Sequence, residues 1–363
     1  MSRVVHAPIL LALGCLLPLI GVGACTTPPA QGCPDGTTQI AVWSSQTDKH
    51  SKLQFLSDTQ ALGHRDIPVQ GILFSTPATI IGRKAYLFAT GNIRKDRAHL
   101  VEVDLDTCNA TTSPLQGKAM LAGLVAPTYG ANSVSFLDRT ELYRFSLDGT
   151  TQAHTTLPDI TINAMVPHES TILAFTIDNT AEHSTLLVLD ATTLTTQRTI
   201  PLPGIGLGFK TAAIVGNTLY FPVNSKPGKE GDEDRRLAMI DLTTWELTTT
   251  TLNEVSPYFT SPTPHGILIA HSYLNPSIRP MHQYRHITLT NPDGTILRET
   301  DLDLGILTIQ TTSDRITILG IDPAEERHAA TYRLSDFTKI SDITLGPTDQ
   351  WGSHHYPATI LPR

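Results

Sequence analysis

The chain has 363 residues, with 26 Lys and Arg against 34 Asp and Glu, for a formal net charge of −8. That balance leaves no basic stripe of the kind nucleic acid demands, so nucleic-acid binding is excluded. With 40% apolar and 17% charged residues, the composition is that of a globular chain with a large core and not of a disordered one.

Arg3 opens a positively charged start, and the apolar run "VVHAPILLALGCLLPLIGV" follows it to Val22. The run is too short and too poorly flanked for a spanning helix and reads as a secretory signal. Its end, "VGAC" (Val22–Cys25), resembles the lipobox of bacterial lipoproteins: an aliphatic residue, two small residues, then the cysteine that receives the lipid. The resemblance implies a signal peptide over 1–24, lipid on Cys25, a tether over 25–38, and an extracytoplasmic chain anchored to the bacterial cell membrane. The alternative is a plain signal peptide cut near Ala24. Cys15 lies inside the apolar run and is lost with it in either case. Cys33 and Cys108 then remain, and an even pair in an exported chain points to one disulfide. There is no CxxC, and no His stands at zinc-ligand spacing from either Cys. No metal site and no cofactor is read from the sequence.

From Gln39 onward, short runs rich in Val, Ile, Thr, Tyr and Phe alternate with Gly, Pro, Asn and Asp punctuation, the mark of strands and turns. One type reads "QIAVW", "AYLFA", "SVSFL", "TILAF", "TLYFP", "ILIAH" and "RITIL". Equivalent positions are Ile40, Tyr86, Val134, Ile172, Leu219, Leu268 and Ile316, with steps of 46, 48, 38, 47, 49 and 48 residues. Seven copies at about 46 residues match the period of a four-stranded propeller blade. A second run follows each first one, such as "HLVEVDLDT" or "LAMIDLTT", and ends in turn-closing residues. A Thr-rich third run follows ("TTQRTIPL", "WELTTTTL"), suited to a half-exposed outer strand. We designate these strands B, C and D of each blade, with an inner strand A before each B. Candidates for strand A include "TPATIIG", "APTYGA", "SPTPHG" and the terminal "YPATILP".

The N-terminal copy begins at strand B, and the C-terminal copy stops after strand A. Joined, they make one blade, so residues 39–363 are expected to form a single all-β, seven-bladed β-propeller closed by its own tail. Closure removes the edges that would pair with other chains. A six-bladed ring with a stray N-terminal hairpin is the alternative. The C–D turns "VDLDT" (Val103–Thr107), "LDATT" (Leu189–Thr193) and "IDLTT" (Ile240–Thr244) resemble the D-x-x-T turn of bacterial propellers of the YVTN, quinoprotein-like and WD-repeat kind. That resemblance implies architecture only, because such folds host enzymes and scaffolds alike.

In a propeller the B–C and D–A loops share one face, here the top, and the A–B and C–D turns the other. Cys33 precedes a strand B and Cys108 sits in a C–D turn of the neighbouring blade, both at the bottom. A Cys33–Cys108 disulfide is therefore expected, contributing about 3–4 kcal/mol by loop closure. With Cys25 eight residues before Cys33, a tether of at most about 26 Å would turn the top face away from the membrane.

Candidate residues lie in the top loops. "PGIGLGFK" has alternate glycines but precedes strands, so it is no dinucleotide fingerprint; Lys210 is placed at the channel mouth. "NSKPGKEGDEDRR" is a charge-balanced solvated loop. "HSYLNPSIRPMHQYRH" gathers Arg279, His282, Tyr284 and Arg285, the composition of a recognition surface, against the bland reading of a loop packed on itself. Asp301, Asp303 and Gly305 loosely resemble a calcium loop that lacks its distal Glu. "GPTDQWGSHHYP" offers Trp351, His354 and His355 beside the channel. Adjacent His residues on a strand face opposite ways, so one is expected to pack in the closure and the other to be solvated.

No catalytic motif of the GxSxG, HExxH or SxxK kind is present, and no catalytic residue is assigned. The first expectation is a monomeric, lipid-anchored propeller that binds a protein or glycan through its top face. The alternative is a propeller lyase, lactonase or hydrolase with its site at the channel mouth.

Overall fold

The structure is a computed structural model and describes residues 32–45, 47–73, 78–91, 97–116, 122–178, 183–204, 211–225, 233–272 and 280–363. Cys25, Lys210 and Arg279 lie outside the described residues. The compact unit is Gly32–Arg363, and among its described residues are seven four-stranded sheets.

Blade 1 takes β1 (Gln39–Ser45), β2 (Ser51–Leu56) and β3 (Ala61–Ile67) from the start of the chain. Blade 2 holds β4 (Thr79–Ile81), β5 (Lys84–Ala89), β6 (His99–Asp104) and β7 (Ala110–Pro114). Blade 3 follows with β8 (Ala122–Val125), β9 (Gly130–Ser135), β10 (Arg139–Phe145) and β11 (Thr151–Pro158). Blade 4 comprises β12 (Ile160–His168), β13 (Thr171–Asp178), β14 (Ser184–Asp190) and β15 (Thr196–Pro201). Blade 5 has β16 (Ala213–Val215), β17 (Thr218–Ser225), β18 (Glu233–Asp241) and β19 (Leu247–Thr251). In blade 6 are β20 (Pro257–Thr263), β21 (Gly266–His271), β22 (His286–Thr290) and β23 (Ile296–Asp301). Blade 7 is β24 (Gly305–Thr311), β25 (Arg315–Ile321), β26 (Arg327–Arg333) and β27 (Lys339–Thr344), after which β28 (His355–Pro362) returns to blade 1.

The ring closes as the echo between the two ends of the chain predicts. β28 pairs antiparallel with β1, from Gln39 opposite Pro362 to Ser45 opposite His355, giving the order β28-β1-β2-β3. The chain is a seven-bladed β-propeller, and the six-bladed alternative falls because the N-terminal strands form a full blade with the tail.

Strand B is buried on both faces, since each blade is sandwiched between two others. In β1, Ile40 and Val42 join Leu87 and Val101 of blade 2, while Ala41 and Trp43 face Leu319 and Ala329 of blade 7. Alternate side chains point to opposite faces of a strand, so one strand feeds two cores. In the same way Tyr86 and Phe88 meet Phe145 of blade 3, and Leu173 and Phe175 meet Leu219 and Phe221 of blade 5. The described apolar clusters map one to each blade interface. The short step of 38 residues between Val134 and Ile172 arises because blade 3 joins β9 to β10 by a tight hairpin, with Phe136 N–H donating to the Arg139 carbonyl at 2.7 Å.

The D-x-x-T turns close on their aspartates. Asp104 Oδ1 accepts the Asp106 and Thr107 N–H groups, Asp190 Oδ1 those of Thr192 and Thr193, and Asp241 Oδ1 those of Thr243 and Thr244. These bonds hold all three carboxyls below the usual carboxylate range. The next residue takes a left-handed backbone in each, at Cys108 (φ 56°), Leu194 (φ 61°) and Trp245 (φ 64°). That conformation turns the Cys108 side chain inward, and Cys108 forms the disulfide with Cys33, their Cα atoms 5.0 Å apart.

Inner strands depart from the sequence reading. "APTYGA" is the turn after β8 and the first two residues of β9, not strand A, with Ala126 N–H bonded to the Tyr129 carbonyl; "SPTPHG" ends β20 and forms its turn. Gly and Pro mark where the chain reverses, so in these segments they cluster around the turn that ends the inner strand. Of "TPATIIG" only Thr79–Ile81 pairs as β4 among the described residues.

Candidate functional site

The long B–C loop of blade 6 leaves β21 at the top and is described again from Pro280. A 3₁₀ turn over Met281–Gln283 lays it across the start of blade 7. Gly305 permits that contact: a Cβ there would fall 2.3 Å from the Met281 carbonyl oxygen and 2.5 Å from His282 Cα. The Leu302 and Ile306 N–H groups donate to the Arg285 and Tyr284 carbonyls, both at 2.8 Å, and the Ser272 hydroxyl donates to the Ile306 carbonyl at 2.8 Å. The loop is thereby fixed to the D–A linker between blades 6 and 7.

Between these elements lies a cleft of about 570 Å³, lined by Glu254, His271, His282, Tyr284, Arg285, His286, Asp301 and Asp303 among others. The long loop of blade 6 and the acidic D–A linker meet here, because both emerge on the top face. His286 Nδ1 lies 2.8 Å from Asp301 Oδ1, and Arg285 reaches Asp301 Oδ2 at 3.4 Å. Asp303 accepts the Tyr332 hydroxyl at 2.6 Å and pairs with Lys339. Burial acts to raise the Asp303 carboxyl, but the bonds from Lys339 and Tyr332 outweigh it and hold the group below its ordinary range. The run Asp301–Gly305 is therefore an ion-paired linker and no calcium loop: Arg285, His286, Tyr332 and Lys339 engage its two carboxylates.

His271 forms the floor and is buried. Its Nδ1 donates to the Val255 carbonyl at 2.8 Å, and Nε2 accepts from the Thr288 hydroxyl at 3.1 Å, which fixes a neutral tautomer. Burial drives its pKa from the ordinary 6.5 down to about 4. As pH falls through 6.5 the unfolded chain takes up a proton that the folded chain refuses, so stability declines until pH 4, by roughly 3 kcal/mol. His271→Gln is expected to remove that component. Urea midpoints at pH 7 and pH 4.5 for both proteins check it, and an identical pH dependence in the two would exclude the effect.

The candidate residues divide between two places. His282, Tyr284 and Arg285 line the blade 6–7 cleft, with Arg285 exposed and Tyr284 only 3% exposed, packed as a wall. Trp351, His354 and His355 stand instead at the ring closure. Trp351 packs edge-on to Trp43 and to His355, each at 5.2 Å, with Lys52 Nζ 5.8 Å from its ring. His355 is buried; its Nε2 lies 3.1 Å from the His50 carbonyl, and Nδ1 lies 2.9 Å from the Ser353 carbonyl and 3.3 Å from its hydroxyl. His354 is exposed. The adjacent pair thus divides into one packed and one solvated ring, and both ring nitrogens of His355 lie within hydrogen-bond distance of protein oxygens. His271 and Lys339 are not among the residues singled out in the sequence, and Asp303 is there only as part of the calcium-like run. Their signal in the sequence is weak: a long B–C loop followed by an acidic D–A linker of the same blade.

The central channel, about 260 Å³, is lined by Thr79, Asn163, Thr211, Ser261, Gln310 and Thr311 with aliphatic neighbours. Among the described lining residues there is no His or carboxylate.

No family model matches the chain, and no curated protein matches it. Solved structures do share its fold. A candidate 6-phosphogluconolactonase from Bacteroides uniformis aligns with a TM-score of 0.57 at 10% identity, over 90% of this chain and 99% of that one. Dihydro-heme d1 dehydrogenase NirN, in complex with DHE, aligns at 0.53 and 10% identity, over 92% of this chain and 78% of that one. The Pan2 WD40 domain from Neurospora crassa aligns at 0.50 and 8% identity, over 78% and 86% respectively. At such identities the likeness is one of fold alone.

Proposed function

We propose that the chain is an extracytoplasmic, lipid-anchored propeller that binds a protein or glycan partner on its top face, at the blade 6–7 cleft. The observation that carries this reading is the convergence of Arg285, His282, Asp301 and Asp303 in one open cleft. Side chains of both signs, with imidazoles between them, suit a polar partner rich in hydroxyl, amide or charged groups. The orientation rests on Cys33. Its disulfide lies on the bottom face, so lipid on Cys25 would hold that face toward the membrane.

A second reading, an enzyme, draws on the His286–Asp301 pair at 2.8 Å, the arrangement of a general acid or base. It moves the catalytic centre from the channel mouth to the cleft.

The test is capture of envelope proteins and oligosaccharides by the purified chain, compared with Arg285→Ala and His282→Ala. Each variant is expected to keep the wild-type melting temperature and to weaken capture at least tenfold. Undiminished capture by both would move the site elsewhere. Turnover of a captured oligosaccharide, abolished by Asp301→Asn, would favour the enzyme reading.

A further inference from the structure

The B–C loop of blade 7 carries a second titratable cluster, beyond Pro323 on the cleft wall. Asp322, Glu326 and His328 each offer one ligand atom, and these atoms lie within 4.8 Å of one another. His328 stands on β26, where Nδ1 lies 2.8 Å from Asp342 Oδ1 on β27; Asp342 Oδ2 in turn accepts Lys339 Nζ at 2.8 Å. With the Nδ1–H donated to Asp342, the neutral His328 ring keeps its lone pair on Nε2. That atom is buried without a hydrogen-bond partner and lies 3.7 Å from Asp322 Oδ2, beyond hydrogen-bond length.

A lone pair aimed at a carboxylate oxygen is an unfavourable contact, relieved by a positive charge between them, either a proton on Nε2 or a bound cation. Asp322 is placed for this arrangement: its Oδ1 accepts the Glu326 N–H at 2.8 Å, which leaves Oδ2 toward His328. Two ligands each about 2.1 Å from a divalent ion are about 3.0–3.4 Å apart in octahedral or tetrahedral geometry. The 3.7 Å gap therefore closes on such an ion with a shift of a few tenths of an ångström. Asp342 behind His328 supplies the outer carboxylate that orients a metal-bound imidazole.

We propose that Asp322, Glu326 and His328 form a binding site for a first-row divalent cation of the Zn²⁺ class, with Asp342 as a positioning residue. One imidazole and two carboxylates select against Ca²⁺ and Mg²⁺, which take oxygen ligands alone, and leave positions open for water or a ligand. The site stands on its own geometry and is independent of the partner-binding reading.

The experiment is calorimetric titration of the full-length chain with Zn²⁺ and with Ca²⁺, and absorption spectroscopy with Co²⁺ as the reporter. One equivalent of Zn²⁺ is expected to bind, with visible Co²⁺ bands and no competition from Ca²⁺. His328→Gln and Asp322→Asn should abolish that equivalent while keeping the metal-free melting temperature. Asp342→Asn should weaken binding about 10–100-fold without changing the stoichiometry. The proposal is overturned if wild type shows no saturable single site. It is equally overturned if His328→Gln binds Zn²⁺ as tightly as wild type, or if Ca²⁺ matches Zn²⁺.

Discussion

Deleting His355–Arg363 is expected to leave no stable propeller. The segment is the inner strand of blade 1, and its side chains serve the cores on both sides: Ala358 and Leu361 pack toward blade 2, and Ile360 toward blade 7. Burying each large aliphatic side chain is worth about 2–5 kcal/mol against its truncation. Losing several, together with the hydrogen bonds between β28 and β1, approaches the whole net stability of about 5–15 kcal/mol typical of a folded domain. The deletion also exposes β1 as a long apolar edge, which invites pairing between chains. Circular dichroism and size-exclusion chromatography should show unfolding or aggregation. Ile360→Ala, a milder change, should remain folded and lower stability by about 2–5 kcal/mol. A truncated chain that elutes as a monomer with the wild-type melting temperature would show that closure is dispensable.

Replacing Cys33 and Cys108 with Ser is expected to cost about 4 kcal/mol, on chain-entropy reasoning for a loop of this length. The two cysteines are 75 residues apart in sequence, and their link restricts the unfolded chain over β1–β6, which belong to blades 1 and 2. The bottom face also holds the segment before β1 by other means: Arg65 donates to the Gly32 carbonyl at 3.2 Å. Arg65 donates to the Cys108 carbonyl at 2.8 Å and to Asn109 Oδ1 at 2.7 Å. Arg363 donates to the Leu105 carbonyl at 3.0 Å and the Thr37 carbonyl at 3.1 Å. The double variant should therefore fold, with an unchanged urea slope and a lower midpoint. An equal midpoint would mean that these guanidinium contacts alone hold the segment. The oxidised chain should also keep its mass under alkylation without reductant, whereas two added labels would show free thiols.

The strand B positions were legible because each strand is sandwiched between two blades. Ile40, Leu219 and Ile316 and their counterparts then recur wherever a blade must fill two cores. The D-x-x-T turns were legible because an Asp side chain capping the N–H groups two and three residues on is chemistry within one turn. The disulfide followed from these, since strand direction alone assigns Cys33 and Cys108 to one face of adjacent blades. The inner strands were not legible in detail. β4, β8 and β16 are short, and their turns carry stronger signals than the strands do.

Fold, ring closure and cysteine pairing were thus determined by the sequence itself, because all three depend on a repeated local pattern and its count. The tertiary structure alone decided where the polar side chains meet. Tyr332 and Lys339 of blade 7 reach Asp303 in the linker from blade 6, and Asp342 orients His328 from the neighbouring strand. It also decided that His355 is packed while Arg285 is presented. Those outcomes depend on the packing of one blade against the next, and no period along the chain encodes which side chains two neighbouring blades bring face to face.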